Sequence, residues 1–497
     1  MKILFIIENG LQESLAVSSL AAAVQARGHQ SDAILFSHTP DLQKYMSETR
    51  PDIVGFSLMT GSHSFAYDLG RDIRSSTDIP VVAGGPHATY YPEHMAASGS
   101  FDFICRGEGE APLATLMDNL QSGRDAARIE GLWALVDGVW HKNGIGDLAP
   151  DLDLLPIPDR SVFYKYDFLR NMSLKRFVTG VGCPYPCTFC HSPIYKREMQ
   201  GKGRLCRHKS PAYVIREIKS VQRAARLDNI HFSDDTFGHD VRWLEEFVPC
   251  YKREIGLPFS CNARADTPHR VVELLKDAGC TGVQIGLESG SARIRKELLK
   301  KMWSDEEAVE VCHRFKKAGM KVLVTNMVAL PSETLDEAWS TVELSVRCDV
   351  DYARNNVFLA HPALDLTKWA QENGYIDKNY SLDDFSAEAL SPIVKTPYRD
   401  EFINIANLFS LAVHCRPLRK FIRRHLISRK PNRLYDFIGS FNLLQDYLFL
   451  RLKFWPSLMY FNNTLKSPIG FKYGAWPTDK VSKHQKARRS HFASELE

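Results

Sequence analysis

The 497-residue sequence lacks any apolar run of the roughly 18 residues that a membrane-spanning helix requires. Its apolar start, residues 2–7, is too short for the core of a secretory signal and runs directly into Glu8. A disulfide framework is also missing, because the eleven cysteines are odd in number and most are scattered without regular spacing. We therefore expect a cytoplasmic protein with reduced thiols and no membrane span.

The composition is that of a globular protein, with 44% hydrophobic and 25% charged residues. The length predicts about two to four domains. The net charge of +4 conceals an asymmetry, because residues 416–497 contain 17 Lys and Arg against 5 Asp and Glu. That excess of +12 leaves residues 1–415 at −8, so the C-terminal region is chemically distinct.

Three cysteines, Cys183, Cys187 and Cys190, lie within eight residues with the spacing C-x3-C-x2-C. Glycine and prolines surround them, which predicts a tight loop whose thiols converge on a metal site. An iron–sulfur cube normally takes four thiolates, so three would leave one iron open for chemistry. Chance clustering and a zinc site are the alternatives. Zinc sites use paired C-x2-C motifs or a Cys/His set with defined separation, and the nearby His191 directly follows Cys190.

Over residues 1–150, short β-rich apolar runs alternate with helical patterns, which predicts a parallel sheet covered on both faces. The predicted strands are residues 3–7, 33–36, 53–58, 81–83 and 101–105, and the helices include 14–27, 64–75 and 110–121. In such sheets, ligands bind beyond the carboxyl ends of the strands.

The loops after these strands contain glycines, which allow close backbone approach to a ligand, and hydroxyl side chains. Turns need glycine in any case, so no single loop identifies a ligand site. The candidate binding residues in these loops are Asn9, Gly10, Ser57, Thr60, Gly61, Gly84, Gly85, His87, Glu108, Gly109 and Glu110.

A proline-containing linker over residues 151–174 leads to a second alternating region, residues 175–375. Its predicted strands are residues 176–181, 229–232, 259–262, 282–287, 321–327 and 352–358, and its helices are 212–223, 242–253, 270–278, 305–318 and 335–347. Six such units predict a partial (β/α)6 barrel, whose functional residues gather at the carboxyl ends of the strands. The cysteine loop follows the first strand.

Polar residues follow the next three strands of this region: Asp234 and Asp235, then Arg264, then Glu288 and Ser289. A plain core strand would not end this way, so these residues are candidate ligand contacts. For the two aspartates, the alternative is capping of the following helix.

The spacing C-x3-C-x-aromatic-C, with Phe189 as the aromatic residue, resembles the signature of radical S-adenosylmethionine (SAM) enzymes. The phrases GFSLMTG (55–61), GGPHAT (84–89) and GEGE (107–110) resemble the cobalamin-binding domain that precedes many radical SAM domains. The resemblance covers about residues 1–375. It implies an α/β protein with an N-terminal doubly wound, flavodoxin-like, cobalamin-binding domain followed by a partial radical SAM barrel.

The resemblance also implies the chemistry and the site. Cys183, Cys187 and Cys190 would hold a 4Fe-4S cluster that cleaves SAM to methionine and a 5′-deoxyadenosyl radical, with methylcobalamin then methylating an unactivated carbon. The Asp234–Asp235 element would meet the amino group of SAM, and Glu288 with Ser289 would hold its ribose and methionine parts, with Arg264 nearby.

Three segments depart from the family. The D-x-H-x-x-G element, by which other cobalamin proteins ligate cobalt, is replaced by residues 8–13, so His63 and His87 become the histidines expected near the corrin. The phrases G-L-P-G-E-T and P-x-P-G-T-x-L are replaced by residues 329–334 and 361–366, which lack the glycines. We expect tighter or differently shaped loops there.

The region of residues 376–480 loses the alternating pattern, and helices are predicted at 402–413, 417–427 and 433–454. Its basic and apolar helices fit either an anionic membrane surface or a cap on the barrel. Nucleic acid is not expected as a partner, because no binding module is recognisable. Residues 481–497 are predicted to be disordered.

Methylation is the expected outcome, and two alternatives stay open: ring formation or rearrangement without methyl transfer, and a non-catalytic cobalamin or redox sensor. The expected partners are a small-molecule or lipid-linked substrate and an electron donor such as a flavodoxin or ferredoxin. Peripheral membrane contact through the basic C-terminal region is a further hypothesis.

Overall fold

The computed structural model describes residues 1–450 except 11, 40 and 386–390. The first part forms a seven-stranded sheet of order β2-β1-β3-β4-β5-β6-β7, in which β1 to β5 are parallel and β6 and β7 are antiparallel. The strands are β1 Lys2–Ile7, β2 Gln30–Leu35, β3 Ile53–Ser57, β4 Val81–Gly84, β5 Phe103–Cys105, β6 Leu132–Val136 and β7 Val139–Lys142. The predicted doubly wound sheet is thus confirmed, with an added hairpin at one edge.

Helices cover both faces of this sheet, because its strands are apolar on both sides. They are α1 Leu15–Gln25, α2 Leu42–Thr49, α3 His63–Ser76, α4 Pro86–Tyr90, α5 Pro92–Ala97 and α6 Glu110–Ser122. A short helix, α7 Asp167–Arg170, lies in the connection to the second sheet.

The second sheet has six parallel strands in the order β15-β14-β13-β12-β11-β8, as expected for the partial barrel. They are β8 Leu174–Phe177, β11 Asn229–Phe232, β12 Phe259–Ala263, β13 Cys280–Glu288, β14 Lys321–Val328 and β15 Tyr352–Val357. The prediction of one strand over 176–181 is wrong. The chain leaves the sheet after Phe177, and β9 Gly180–Val181 pairs antiparallel with β10 Arg207–His208.

Five barrel helices pack their apolar faces on these strands to form the largest core of the described chain. They are α9 Pro211–Ala224, α10 Val241–Glu254, α11 His269–Asp277, α12 Asp305–Lys317 and α13 Leu335–Arg347. Two further helices, α8 Ser192–Glu198 and α14 Asp365–Glu372, pack in smaller clusters. Capping boxes, Ser304 with Glu307 and Thr334 with Glu337, fix the starts of α12 and α13.

The described part of the C-terminal region is a helical cap on the barrel. Its helices are α15 Arg399–His414, α16 Arg416–Phe421 with a π-helical extension Ile422–Leu426, and α17 Arg433–Phe449. Phe402, Ile405 and Phe409 of α15 are buried in the barrel core. No helix within the described ranges is both long and apolar enough to cross a membrane. The predictions for 451–454 and for 481–497 lie outside the described residues.

Buried ion pairs join the first part of the chain to the barrel. The Lys175 Nζ of β8 lies 2.6 Å from the Glu13 carboxylate, and both side chains are almost fully buried. Arg160 of the linker pairs with Glu217 of α9 at 2.9 Å, also buried. Because a buried charge without its partner is strongly destabilising, these pairs specify how the parts join.

Candidate active site

The start of the cysteine loop is held by Asp234, which follows the neighbouring strand β11. Its carboxylate accepts hydrogen bonds from the Thr179 amide and hydroxyl and from the Gly180 amide, at 2.7–3.1 Å. Burial raises the pKa of Asp234, and these hydrogen bonds oppose that shift. The structure therefore gives Asp234 a role in positioning the loop. Asp235, the next residue, is exposed.

The loop itself turns tightly past the segment that contains Leu205. Gly182 has a φ of +86°, and a Cβ atom there would lie 2.5 Å from the Leu205 carbonyl oxygen, so the turn requires glycine. Cys187 is buried, whereas Cys183 and Cys190 are partly exposed, and all three are free thiols. Burial raises the pKa of Cys183 to about 11.

The sequence predicts that the three thiols converge on one point. In the structure they do not surround a position for a single metal ion, so this part of the prediction is wrong. Among the described residues, no three His, Cys, Asp or Glu side chains surround a position for one metal ion. A mononuclear zinc site at the loop is therefore not supported. Three thiols that each bind a different iron of a cube need not meet at one ion, so the donor set fits a 4Fe-4S cluster.

Glu288 lies at the carboxyl end of β13 and has a left-handed backbone, with φ of +67°. Its Oε1 atom accepts a hydrogen bond from Lys301 Nζ at 3.0 Å, and the same Nζ donates to the Gly286 carbonyl at 2.7 Å. The Lys301 ammonium also lies 5.6 Å from the ring centre of Phe189. Sequence reasoning missed Lys301, although it connects Glu288 to the cysteine loop. Ser289 is fully buried beside Glu288.

Arg264 lies against the cysteine loop. Its guanidinium is 3.4 Å from the ring centre of Tyr185, and its Nε donates to Asp266 at 2.8 Å. Burial raises the pKa of Cys187, and the positive charges of Lys301 and Arg264 oppose that shift. Both cations therefore favour the thiolate form that binds metal.

The N-terminal sheet contains a cavity of about 390 Å³ at the carboxyl ends of its parallel strands. The lining is mostly apolar and includes Phe5, Leu20 and Leu113. Gly85, with φ of +96°, lets the β4 loop pass close to Leu58, where a Cβ atom would lie 2.8 Å from a carbonyl oxygen. The cavity suits a flat apolar group.

The predicted ligand residues of this sheet divide into two groups. Six line the cavity: Ser57, Gly84, Gly85, Glu108, Gly109 and Glu110. The other five, which are not among the lining residues, are Asn9, Gly10, Thr60, Gly61 and His87. The Glu108 carboxylate pairs with Arg207 of β10 and accepts a hydrogen bond from the Ala149 amide, so it also joins the sheet to the barrel.

His87 is fully buried and engaged within the protein. Its Nδ1 lies 3.0 Å from the Thr60 hydroxyl, its Nε2 lies 2.9 Å from the Tyr67 hydroxyl, and its ring stacks on His63 with centres 4.5 Å apart. Burial lowers the pKa of His87 to about 3 and that of His63 to about 4. Both ring nitrogens of His87 thus have protein partners within hydrogen-bond distance.

The two parts of the chain meet at the Cys190 side of the loop. His191 stacks on Tyr90 of α4, with ring centres 4.9 Å apart, and Tyr90 also lines the N-terminal cavity. The ring centre of His361 lies 5.1 Å from that of His191. The buried Nδ1 of His361 has no hydrogen-bond partner among the described residues. Sequence reasoning missed Tyr90 and His361, because only the fold brings them to the loop.

The loop after β14 keeps the backbone that glycines would favour, although the glycines are absent. Ala329 and Ser332 have φ of +60° and +62°, in the left-handed region. Whether the loop differs in shape from that of the family stays a prediction. Burial raises the pKa of the neighbouring Glu333 to about 8, and its Oε2 accepts a hydrogen bond from the Leu330 amide at 3.1 Å.

Replacing Ala329 or Ser332 by glycine is expected to stabilise the protein. A left-handed non-glycine residue costs about 1–3 kcal/mol, and the added freedom of glycine in the unfolded chain offsets about 0.4–1 kcal/mol of the relief. A gain of about 0.5–1 kcal/mol per site in urea unfolding is expected. The control is Ala318→Gly, at a right-handed φ of −75°, which should lose stability. If glycine lowered the stability at all three sites, backbone strain at Ala329 and Ser332 would be contradicted.

Comparison with known proteins identifies both parts. Residues 177–345 match the family model "Radical SAM superfamily", and residues 8–117 match "B12 binding domain". The uncharacterized methyltransferase PH0819 of Pyrococcus horikoshii is 28% identical over 377 residues, which is 72% of this chain and 80% of the relative. The anaerobic magnesium-protoporphyrin IX monomethyl ester cyclase of Rubrivivax gelatinosus is 24% identical over 407 residues, covering 77% and 70%.

A solved structure shares the fold. The radical SAM methyltransferase TsrM from Kitasatospora setae, with cobalamin and a [4Fe-4S] cluster bound, superposes with a TM-score of 0.66 and 17% identity, over 89% of this chain and 95% of that chain. Both domain matches contain the loops described above, the cysteine loop in one and the cavity loops in the other. The chain therefore contains a B12-binding domain over residues 8–117 ahead of a radical SAM domain over residues 177–345.

Proposed function

We propose that the protein is a cobalamin-dependent radical SAM methyltransferase that methylates an unactivated carbon of a small molecule. The observation that carries this proposal is the position of the three free thiols. They lie at the carboxyl end of the six-stranded sheet, on a loop that contacts the domain containing the apolar cavity. The methyltransferase relative PH0819 and the fold of TsrM support the same activity.

In this proposal Cys183, Cys187 and Cys190 hold the cluster, and the cavity lined by Ser57, Gly84 and Gly85 accepts an apolar part of cobalamin. When bound, the cluster would supply the one-electron cleavage of SAM that leads to removal of hydrogen from a C–H bond of the substrate, and cobalamin would supply the methyl group. Glu288 offers an acceptor for hydroxyl groups of SAM.

The remaining residues position and shield the reacting groups. Asp234 fixes the entry of the cysteine loop, and Lys301 fixes the Glu288 carboxylate. Tyr90 and His191 join the two domains beside Cys190 through their stacked rings. Lys301, Tyr90 and His191 are therefore proposed as positioning residues, and Asp235 with Arg264 as groups beside the cofactors.

Anaerobic reconstitution with iron, sulfide and cobalamin tests the proposal. With titanium(III) citrate as reductant, the protein should convert SAM to methionine and 5′-deoxyadenosine, detected by mass spectrometry. A fully loaded cluster that yields no 5′-deoxyadenosine would favour the sensor. With a substrate in hand, SAM carrying a deuterated methyl group should transfer three deuterons to the product.

Ring formation is the second candidate, and the cyclase relative is the observation that favours it. It predicts 5′-deoxyadenosine formation with an unlabelled product that has lost hydrogen. The deuterated methyl group therefore separates the two activities in one experiment, because only methylation transfers label to the product.

A lipid-linked substrate and peripheral membrane contact form a further part of the proposal. They rest on the basic C-terminal region, with an excess of +12 over residues 416–497. The described helices α15 and α17 pack on β15, and Leu418, Phe421 and Phe437 of the cap are exposed. Flotation with vesicles containing anionic lipid, compared with neutral vesicles, tests it. If the protein bound neither anionic nor neutral vesicles, membrane contact at a cytoplasmic surface would be contradicted.

A further inference from the structure

The cluster loop reaches the surface on the side of Cys183. Pro184, bonded to Cys183, is exposed and lines a surface depression of about 500 Å³. At the other end of the loop, His191 stacks on Tyr90, and Cys187 between the two ends is buried. Because electron transfer slows steeply with distance, a protein that delivers electrons to this loop gains most by docking over Pro184.

The wall of the depression is in contact with the cluster loop. A Cβ atom at Gly182 would lie 3.2 Å from the Cα of Cys206, and Cys206 lines the depression. Arg204, two residues earlier, is on the same wall, and Arg242 of α10 is on the other wall. The depression is therefore formed by two chain segments that meet beside Cys183.

Two exposed arginines give the depression a positive rim. Neither Arg204 nor Arg242 has an ion-pair or hydrogen-bond partner in the described part of the chain, and both are exposed. Burial raises the pKa of Cys206, and the positive charges of Arg204 and Lys196 oppose that shift. Unpaired, exposed cations of this kind attract acidic surfaces.

Acidic groups offset part of this charge. Asp240 lines the depression, and its carboxylate caps α10 by accepting a hydrogen bond from the Trp243 amide at 3.2 Å. The negative charge of Asp235 also acts on Cys206, and Arg207 pairs with Glu108. Among the lining residues, two arginines stand against one aspartate, so the depression keeps a positive excess.

Two histidines, His208 and His239, also line the depression. His239 donates through Nδ1 to the Thr236 carbonyl at 3.0 Å, and its Nε2 lies 3.3 Å from His208 Nε2. Burial lowers the pKa of His208 to about 4, so this ring is neutral at pH 7.

We infer that this depression, rimmed by Arg204 and Arg242, is the docking site for an acidic one-electron donor protein of the flavodoxin or ferredoxin type. The inference rests on the proposed function, because it assigns the face through which the cluster is reduced. One electron leaves the donor and enters the cluster, and no bond forms or breaks. A brief encounter over a small area suffices for such transfer, and charge complementarity raises its rate.

The test compares two reductants on the reconstituted enzyme. The charge-reversing pair R204E/R242E should raise the KM for a purified acidic flavodoxin about tenfold or more at low ionic strength, because the steering charges are inverted. Cleavage of SAM driven by titanium(III) citrate should stay within about twofold of the unchanged protein, since a small reductant needs no docking face. Added salt should weaken the flavodoxin reaction of the unchanged protein and affect the variant little.

The matched control is R223E/K276E, with the same change in net charge. Arg223 and Lys276 are exposed in the last turns of α9 and α11, at the opposite end of the barrel strands. This control should leave the KM for flavodoxin within about twofold. The docking site would be overturned if R204E/R242E and R223E/K276E changed the KM for flavodoxin equally. It would also be overturned if R204E/R242E lost SAM cleavage equally with flavodoxin and with titanium(III) citrate.

A binding measurement keeps this inference separate from the proposed function. Titration of labelled flavodoxin with the full-length protein, with and without its cluster, should show weaker binding to R204E/R242E than to the control pair. If the unchanged protein cleaves no SAM with titanium(III) citrate, the proposed function fails. The binding difference would still decide whether this face docks the donor, and its absence would overturn the inference.

Discussion

Replacing Cys187 by alanine is expected to abolish the iron–sulfur absorbance near 400 nm and to lower SAM cleavage by on the order of 1000-fold or more, because a thiolate ligand of the cluster is lost. Cys187 is the buried thiol of the three, and the Cys190 amide donates to its carbonyl at 3.1 Å. Iron and sulfide content, the visible spectrum and 5′-deoxyadenosine are measured after anaerobic reconstitution.

The control for this experiment is Cys206→Ala. Cys206 is a free, partly exposed thiol beside the same loop, but it stands outside the C-x3-C-x2-C spacing. It should retain both the cluster and SAM cleavage. If Cys187→Ala kept its cluster and its activity, the assignment of the three thiols would be wrong. If Cys206→Ala lost both the cluster and SAM cleavage, Cys206 would be a fourth protein ligand, and no iron of the cluster would be open.

Replacing Ser57 by tryptophan is expected to weaken cobalamin binding at least about 100-fold, or ~2.8 kcal/mol. Ser57 lines the 390 Å³ cavity at the end of β3, and the indole would occupy space that an apolar part of the cofactor needs. Binding is measured by equilibrium dialysis with hydroxocobalamin and by the cobalamin retained after gel filtration. The cluster content should stay unchanged, because the cysteine loop belongs to the other sheet.

Ser47→Trp provides the matched substitution. Ser47 is exposed on α2 and is not among the residues that line the cavity, so the same change in side chain should leave cobalamin binding unaltered. Circular dichroism and thermal unfolding establish that both variants fold. Unchanged cobalamin affinity in a folded Ser57→Trp protein would show that the cofactor lies elsewhere.

The parts of the fold that sequence predicts well are those with local signals. The strand Asn229–Phe232 and the helix Leu335–Arg347 have the predicted bounds, because polar and apolar residues alternate in the first and a capping box begins the second. The hairpin of β6 and β7 was missed although its signal was present. Asp137 and Gly138 both have positive φ, which is the two-residue turn that Asp-Gly favours.

In the candidate site, too, sequence predicts only the residues that have a local signal. Spacing alone identified Cys183, Cys187 and Cys190, because all three lie on one loop. Lys301 and Tyr90 could not be found in this way, since they are distant in sequence from the groups they contact. Glu108 shows a further difficulty: the residue is part of the recognised GEGE phrase, yet its carboxylate pairs with Arg207 from the barrel, and no local pattern encodes that partner.

The buried pair of Glu13 and Lys175 limits the kinds of motion open to the interface. Complete separation of the two parts would return both charges to water, where each is well solvated. A sideways displacement of a few ångströms would instead leave both charges buried and apart, the arrangement with the highest electrostatic energy. The pair therefore opposes sliding of one part past the other and holds the two parts in one register.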